Sequence, residues 1–189
     1  MAVDPEVSSA TFVAPLRRVA VLGASGSGKT CLAQALALRL GVPHVELDAL
    51  YWDAGWRPAP LEVFLARLTE AVAGPAWVTD GNYRHARHLI WSRATALVWL
   101  DYPLPLVLWR LSWRTLRRVM MRQELWKGNR ARFRHNLPGG ATSFSYALKS
   151  HPRHRREYPT LWASPTYAHL TKYRLRSPSE TDQWLANLS

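Results

Sequence analysis

Eight residues at 23–30, GASGSGKT, carry the densest chemistry in the chain. Gly23, Gly26 and Gly28 let the backbone curl until successive N–H groups point inward, which makes an anion cradle. Lys29 adds a compact positive charge beside it, and Thr30 adds a hydroxyl suited to a hard cation. A helix starting near Lys29 would turn its positive end toward the same anion. The spacing is that of G-x-x-x-x-G-K-[ST], a pattern that works only between a strand and a helix. The apolar run at 19–22 supplies the strand. Residues Gly23, Ala24, Ser25, Gly26, Ser27, Gly28, Lys29 and Thr30 are therefore expected to hold a nucleoside triphosphate.

The elements that must position this loop are read from periodicity. Residues 1–15 are aperiodic and are expected to form a flexible leader before one domain at 16–189. A first strand at 17–22 leads through the loop to a helix ending near 40, where Gly41 and Pro43 stop it. A second strand is expected at 44–48. An aromatic loop with Tyr51, Trp52 and Trp56 follows, then a helix with apolar residues at 61, 64, 65, 68 and 72. A third strand at 76–80 and a short helix at 83–91 precede a fourth strand at 94–100, apolar almost throughout. Pro103 and Pro105 open a long helix to about 126. Regular pattern then fails until 159, apart from a helix near 143–150. A fifth strand at 169–176 ends at a capping box, Ser177 to Glu180 with Pro178, and a closing helix. Strands alternating with helices predict an α/β fold of three layers, a five-stranded parallel sheet flanked by helices, as in the P-loop NTPase fold.

Three acids fall at expected strand ends, where a parallel sheet opens its binding crevice: Asp48, Asp80 and Asp101. An acid there either reaches a bound cation or acceptor, or caps the next helix. The first role is expected of Asp48 and Asp80, the second of Asp101. Tyr51, Trp52 and Trp56 either stack on an acceptor or cover the core beneath a loop. His85 and His88, three apart on a short helix, are expected to be surface or half-buried.

The chain carries 25 Lys and Arg against 13 Asp and Glu, and the whole excess lies at 110–156, where thirteen basic residues face Glu124 alone. Arg110, Arg114, Arg117, Arg118 and Arg122 share one helical face, expected to face phosphate. Arg130, Arg132 and Arg134 precede Pro138, Gly139 and Gly140, and Arg153, Arg155 and Arg156 follow, a lid-like layout with hinge residues. The one cysteine, Cys31, is expected as a small packed side chain, since it has no internal disulfide partner. No signal peptide or membrane-length apolar run stands out, so a cytoplasmic protein without membrane contact is expected.

Further residues carry a family resemblance. Asp80-Gly81-x-x-Arg84 and Asp101-x-Pro103 with Arg110 and Arg114 resemble elements of the adenylate-kinase-like branch of P-loop kinases. The likeness is closest to small members labelled DNA topology modulation proteins, and it covers nearly everything after residue 16. It implies that Asp80 organises Mg²⁺ with Thr30, that Arg84 holds the acceptor, that Arg110 lies near the adenine ring and that Arg114 lies near the phosphates. Glu46-x-Asp48 resembles the acid-x-acid element of shikimate- and gluconate-type kinases, in which the last acid contacts the substrate hydroxyl. Zinc-binding cysteines of some family lids do not recur.

The expectation is thus an ATP-dependent phosphotransferase using Mg²⁺, acting as monomer or homodimer on a small acceptor, a nucleotide or nucleoside by resemblance. Lys29, Asp80 and Arg114 would act in transfer, joined by Arg130 and Arg156 from a lid at about 127–160. Asp48, Trp52 and Arg84 would bind the acceptor. A second reading is a nucleotide-regulated nucleic-acid-binding protein, with Trp113, Trp126, Phe133 and Phe144 interleaved in the basic segment.

Overall fold

The computed structural model describes residues 16–121, 124–129 and 143–188. The expected leader at 1–15 and residues 130–142 of the expected lid, Arg130 among them, lie outside the described residues. In chain order the elements begin with β1 (Arg18–Gly23), α1 (Lys29–Leu40), β2 (His44–Glu46), α2 (Leu47–Tyr51), β3 (Trp52–Asp53) and β4 (Arg57–Pro58). They continue with α3 (Leu61–Ala71), β5 (Trp77–Asp80), α4 (Arg84–Trp91), β6 (Ala96–Leu100) and α5 (Leu104–Met120). α6 (Ser143–Ala163), β7 (Thr171–Leu175) and α7 (Pro178–Ala186) complete the described elements.

β1 is apolar on both faces, so both must be covered, and that requirement produces the layers. It lies at the centre of a parallel sheet of order β2-β5-β1-β6-β7. Val19 and Val21 pack with Ala33, Leu36 and Ala37 of α1 and with Val107 and Leu111 of α5. Ala20 and Leu22 face the other way, into Phe64, Leu68, Trp91 and Tyr158. The five strands and the flanking helices match the expected architecture. The capping box at the start of α7 also forms, Ser177 Oγ accepting from Glu180 N at 3.1 Å.

β2 stops at Glu46, two residues early. Leu47 turns inward, 1% exposed, against Gly81, where a Cβ would lie 2.6 Å from Leu47 Cδ1 at a backbone φ of +145°. The chain therefore coils into α2, and Asp48 stands in the first turn of that helix rather than at a strand end. The aromatic stretch that follows is a hairpin, with Trp52 paired to Pro58 and Asp53 to Arg57.

α5 ends at Met120, short of the expected 126. Trp126 is drawn away from the helix by its Nε1 bond to Glu46 Oε2 (2.8 Å) and its edge contact with Trp56. Lys127 pairs with Asp53, and Asn129 bridges the Trp56 N–H and the Asp53 carbonyl, both at 2.9 Å. These bonds to the hairpin outweigh local helix propensity. Conversely, α6 runs past 150 to Ala163 through Pro152 and Pro159. Both prolines are exposed, where water meets the carbonyls they leave free, while Ala147, Ser150, His151, His154 and Tyr158 form a buried stripe that holds the helix together.

Two further expectations are corrected. Cys31 is exposed, because the buried stripe of α1 is Leu32, Ala33, Leu36 and Ala37. Asp101 is 2% exposed and accepts from Arg155 Nε (2.7 Å) and from Arg174 Nε and Nη2 (3.0 and 2.7 Å). A carboxylate so buried is held by paired charge and does not serve as an exposed cap; it ties β6 to β7 and α6.

Replacing Asp101 by Ala removes hydrogen bonds to two charged partners, and should lower unfolding stability by about 2–3 kcal/mol. A urea titration showing a loss below about 0.5 kcal/mol would sink this assignment. Burial raises the carboxyl pKa of Glu46, against the Trp126 bond, so its charge destabilises the fold as pH climbs through that raised value. Glu46→Gln keeps an acceptor for Trp126 without the charge. It should therefore match or exceed the wild type in stability at pH 7, and lose that advantage as pH falls toward 4. Thermal melts across that range check the sign.

Candidate functional site

Residues 23–30 leave β1 and enter α1 in the cradle conformation. Gly26 and Gly28 have φ of +92° and +97°, and a Cβ on Gly26 would lie 2.7 Å from the Val107 carbonyl, so α5 presses directly on the loop. The Ser27 N–H closes a turn to Ala24 O at 3.1 Å. Asn82 accepts from the Gly23 N–H at 3.3 Å and donates from its side-chain amide to the Gly23 carbonyl. It was not among the expected residues; it holds the loop to the end of β5. Lys29 Nζ donates to Ala24 O at 3.0 Å. Burial lowers the Lys29 pKa and Arg114 adds to this, with Asp80 and Asp48 opposing.

Thr30 and Asp80 meet at the mouth of the cradle. Thr30 Oγ1 donates to Asp80 Oδ2 at 2.6 Å, and His44 Nε2 lies 2.8 Å from Asp80 Oδ1. The parallel register that sets Glu46 and Val21 beside Asp80 places these groups together. A hydroxyl and a buried carboxylate oxygen beside a phosphate loop fit Mg²⁺, which takes oxygen ligands and draws the rest from phosphates and water. Among the described residues no cluster of three or more His, Cys, Asp and Glu competes for a metal.

Across the cleft, Asp48 Oδ1 accepts from Tyr83 O–H at 2.6 Å. Burial and the Asp48 charge raise the Tyr83 pKa, so the phenol stays a donor. Of the basic row on α5, Arg110, Arg114 and Arg118 are half-buried on the inner side, whereas Arg117 is exposed beside Trp113, Leu116 and Met120. Arg122 lies outside the described residues. Arg110 Nη1 donates to Ser27 O at 3.4 Å and its guanidinium covers the Tyr102 ring at 5.3 Å. Burial, then Arg118, push Arg114 down to about 10, with Asp48 and Glu46 opposing; it remains charged at neutral pH.

Arg84 begins α4 and is exposed. One turn on, Arg87 faces the cleft side, 3.4 Å from Glu157 and over the rings of Trp91 and Tyr158. Trp52 is half-buried in a chain of edge contacts with Tyr51 and Trp56, which extends to Trp126. Arg156 is exposed on α6, while Arg153 and His154 lie on its covered side. His85 and His88 are exposed. The described aromatics of the basic segment share no platform: Trp113 is exposed, Trp126 binds Glu46 and Phe144 packs on the core. Sequence reasoning missed Tyr83, Arg87, Asn82 and His154, of which only Asn82 and Tyr83 had a signal, lying inside the Asp80-to-Arg84 element.

No family model and no curated protein matches the sequence. Solved structures do match. A gluconokinase from Sinorhizobium meliloti 1021 has a TM-score of 0.52 at 19% identity, over 92% of this chain and 94% of that one. A shikimate kinase from Acinetobacter baumannii in complex with shikimate has a TM-score of 0.52 at 16% identity, over 92% and 90%. Neither is an adenylate kinase or a DNA topology modulation protein, so those finer resemblances gain no support here. Among the described residues no helix is long and apolar enough to cross a membrane. The chain has the three-layer α/β fold of P-loop kinases.

Proposed function

We propose that this chain is a phosphotransferase that moves the γ-phosphate of Mg-ATP to a hydroxyl of a small acceptor. The observation that carries this reading is the Thr30 to Asp80 contact at the phosphate loop, with the Tyr83-held Asp48 across the same cleft. Backbone N–H groups of 23–30 and Lys29 hold the β and γ phosphates. Arg114 adds charge where the transferred group passes. Mg²⁺, held by Thr30 and Asp80, supplies neutralisation of phosphate charge. Asp48 accepts the acceptor's hydroxyl hydrogen and orients its oxygen, and Tyr83 fixes Asp48 in place.

Within that reading, a small hydroxylated acid ranks ahead of the nucleotide or nucleoside first expected. Trp52, Trp56 and Trp126 spend their edges and faces on one another, while Arg153 Nε makes no hydrogen bond among the described residues and only a long ion pair, 3.9 Å, with Glu157. The likeness to a gluconokinase and to a shikimate kinase bound to shikimate supports the same class. In this reading a lid spans about 127–160, of which residues 127–129 and 143–160 are described. Arg153 is its better-placed arginine; Arg156 would have to turn inward to reach phosphate.

The purified chain with Mg-ATP and a panel of hydroxy acids, polyols, sugars, nucleosides and nucleotides should phosphorylate at least one hydroxy acid. Lys29→Ala should cut kcat by about 10²–10³. Asp48→Asn should cost about 10²–10⁴ in kcat and leave ATP affinity unchanged. A panel with no Lys29-dependent product would refute the activity.

A further inference from the structure

α6 crosses the phosphate loop. At one end Ala147 packs in the cluster that contains Ala24, Val107 and Leu111. One turn on, His151 Nε2 meets the Tyr102 carbonyl at 2.9 Å. At the other end Tyr158 O–H reaches Asn82 Oδ1 at 3.3 Å, and Asn82 holds Gly23. His154 lies between these anchors, 3% exposed, its ring flat on Tyr158 with centroids 4.7 Å apart and planes 8° from parallel. Its Nδ1 is buried and has no hydrogen-bond partner among the described residues; neither have Ser150 Oγ, one turn back on the same face, nor Ser27 Oγ in the loop itself. Buried polar atoms are nearly always paired, so an unpaired imidazole nitrogen within electrostatic reach of Lys29 calls for a ligand that pairs it.

The charges around His154 have one sign. Lys29 faces it from α1, Arg87 from α4, and Arg153 and His151 from α6. The nearby acids are engaged: Glu157 with Arg87, Asp101 with Arg155 and Arg174, Asp80 with Thr30 and His44. Burial, followed by Arg153, Lys29, Arg87 and His151, pushes the imidazole down to about 3, so the ring is neutral at physiological pH. A triphosphate brings several negative charges into this ring of cations and reverses the field that His154 feels.

Resting on the phosphotransferase reading, we propose that His154 is a phosphate-contact residue of the lid helix, which takes a proton from solvent as nucleotide binds and donates a charged hydrogen bond to a phosphate oxygen. No covalent step is involved; the proton returns to solvent when the anion leaves. The pairing gives the seated α6 a direct contact with the bound anion, and it couples nucleotide affinity to pH. A group whose pKa is higher in the complex strengthens binding at low pH, and that gain is lost as pH rises through the value in the complex.

The test is calorimetric titration with Mg²⁺ and the β,γ-imido analogue of ATP, in buffers of different ionisation enthalpy, on the full chain. The wild type should take up on the order of half a proton or more at pH 7, and its affinity should fall several-fold between pH 6 and 8. His154→Gln keeps an N–H donor and cannot titrate. It should abolish the extra uptake and flatten the affinity profile relative to the wild type, while His154→Ala weakens binding about tenfold. The analogue's own protonation contributes equally to all three. In the wild type, the imidazole nitrogen signals of His154 should move from neutral to protonated when the analogue is added, a readout independent of how the variants fold. Equal proton uptake in the wild type and His154→Gln, or a ring that stays neutral in the complex, would overturn the role of His154 while leaving the phosphotransferase intact. Absence of any nucleotide binding by the wild type would overturn both.

Discussion

The rest of the structure depends on how Asp80 is buried. A carboxylate 4% exposed at a strand end would be untenable alone, and it is held by Thr30 Oγ1 on one oxygen and His44 Nε2 on the other. Those partners come from α1 and β2, which flank β5 only because the sheet runs β2-β5-β1. The same order puts the start of the phosphate loop beside Asn82 and the first turn of α2 beside Tyr83. Sheet order, the loop at 23–30 and the Asp48–Tyr83 pair proposed to meet the acceptor thus converge near one buried acid.

A second buried acid does the matching work on the other flank. Asp101 gathers Arg174 from β7 and Arg155 from α6, fixing the helix that covers the loop. The two acids differ in partner chemistry. Asp80 is bound by a hydroxyl and an imidazole, groups that yield to a cation, whereas Asp101 is bound by two guanidinium groups that do not. In the proposed reaction the first would exchange partners for a metal, while the second would keep its own.

How much of this was legible in the sequence follows from distance along the chain. The loop at 23–30 is a local device, a strand, a turn and a helix within about twenty residues, and its types and spacing fix its geometry. The alternation of strands and helices, and hence the fold, is local in the same way. Asp48 and Asp80 were read as site acids from their place after apolar runs, although Asp48 lies on α2 because Leu47 turns inward beneath Gly81. What the sequence hid was long-range. The partners of Asp101 lie 54 and 73 residues away, and Trp126 leaves its helix for a glutamate 80 residues earlier. α6 outruns its prolines because of a buried stripe visible only once the sheet gives it a surface to cover. His154, one of several basic residues in a charged run, becomes distinctive only when that stripe is seen to cross the phosphate loop.

The most direct test of the Thr30 to Asp80 junction is the effect of Mg²⁺ on ATP affinity, measured at equilibrium for the wild type and for Asp80→Asn. Mg²⁺ should tighten ATP binding at least tenfold in the wild type and leave the Asp80→Asn protein nearly unchanged. The same Mg²⁺ dependence in both proteins would contradict the assignment of Asp80 as the acid that joins metal and nucleotide.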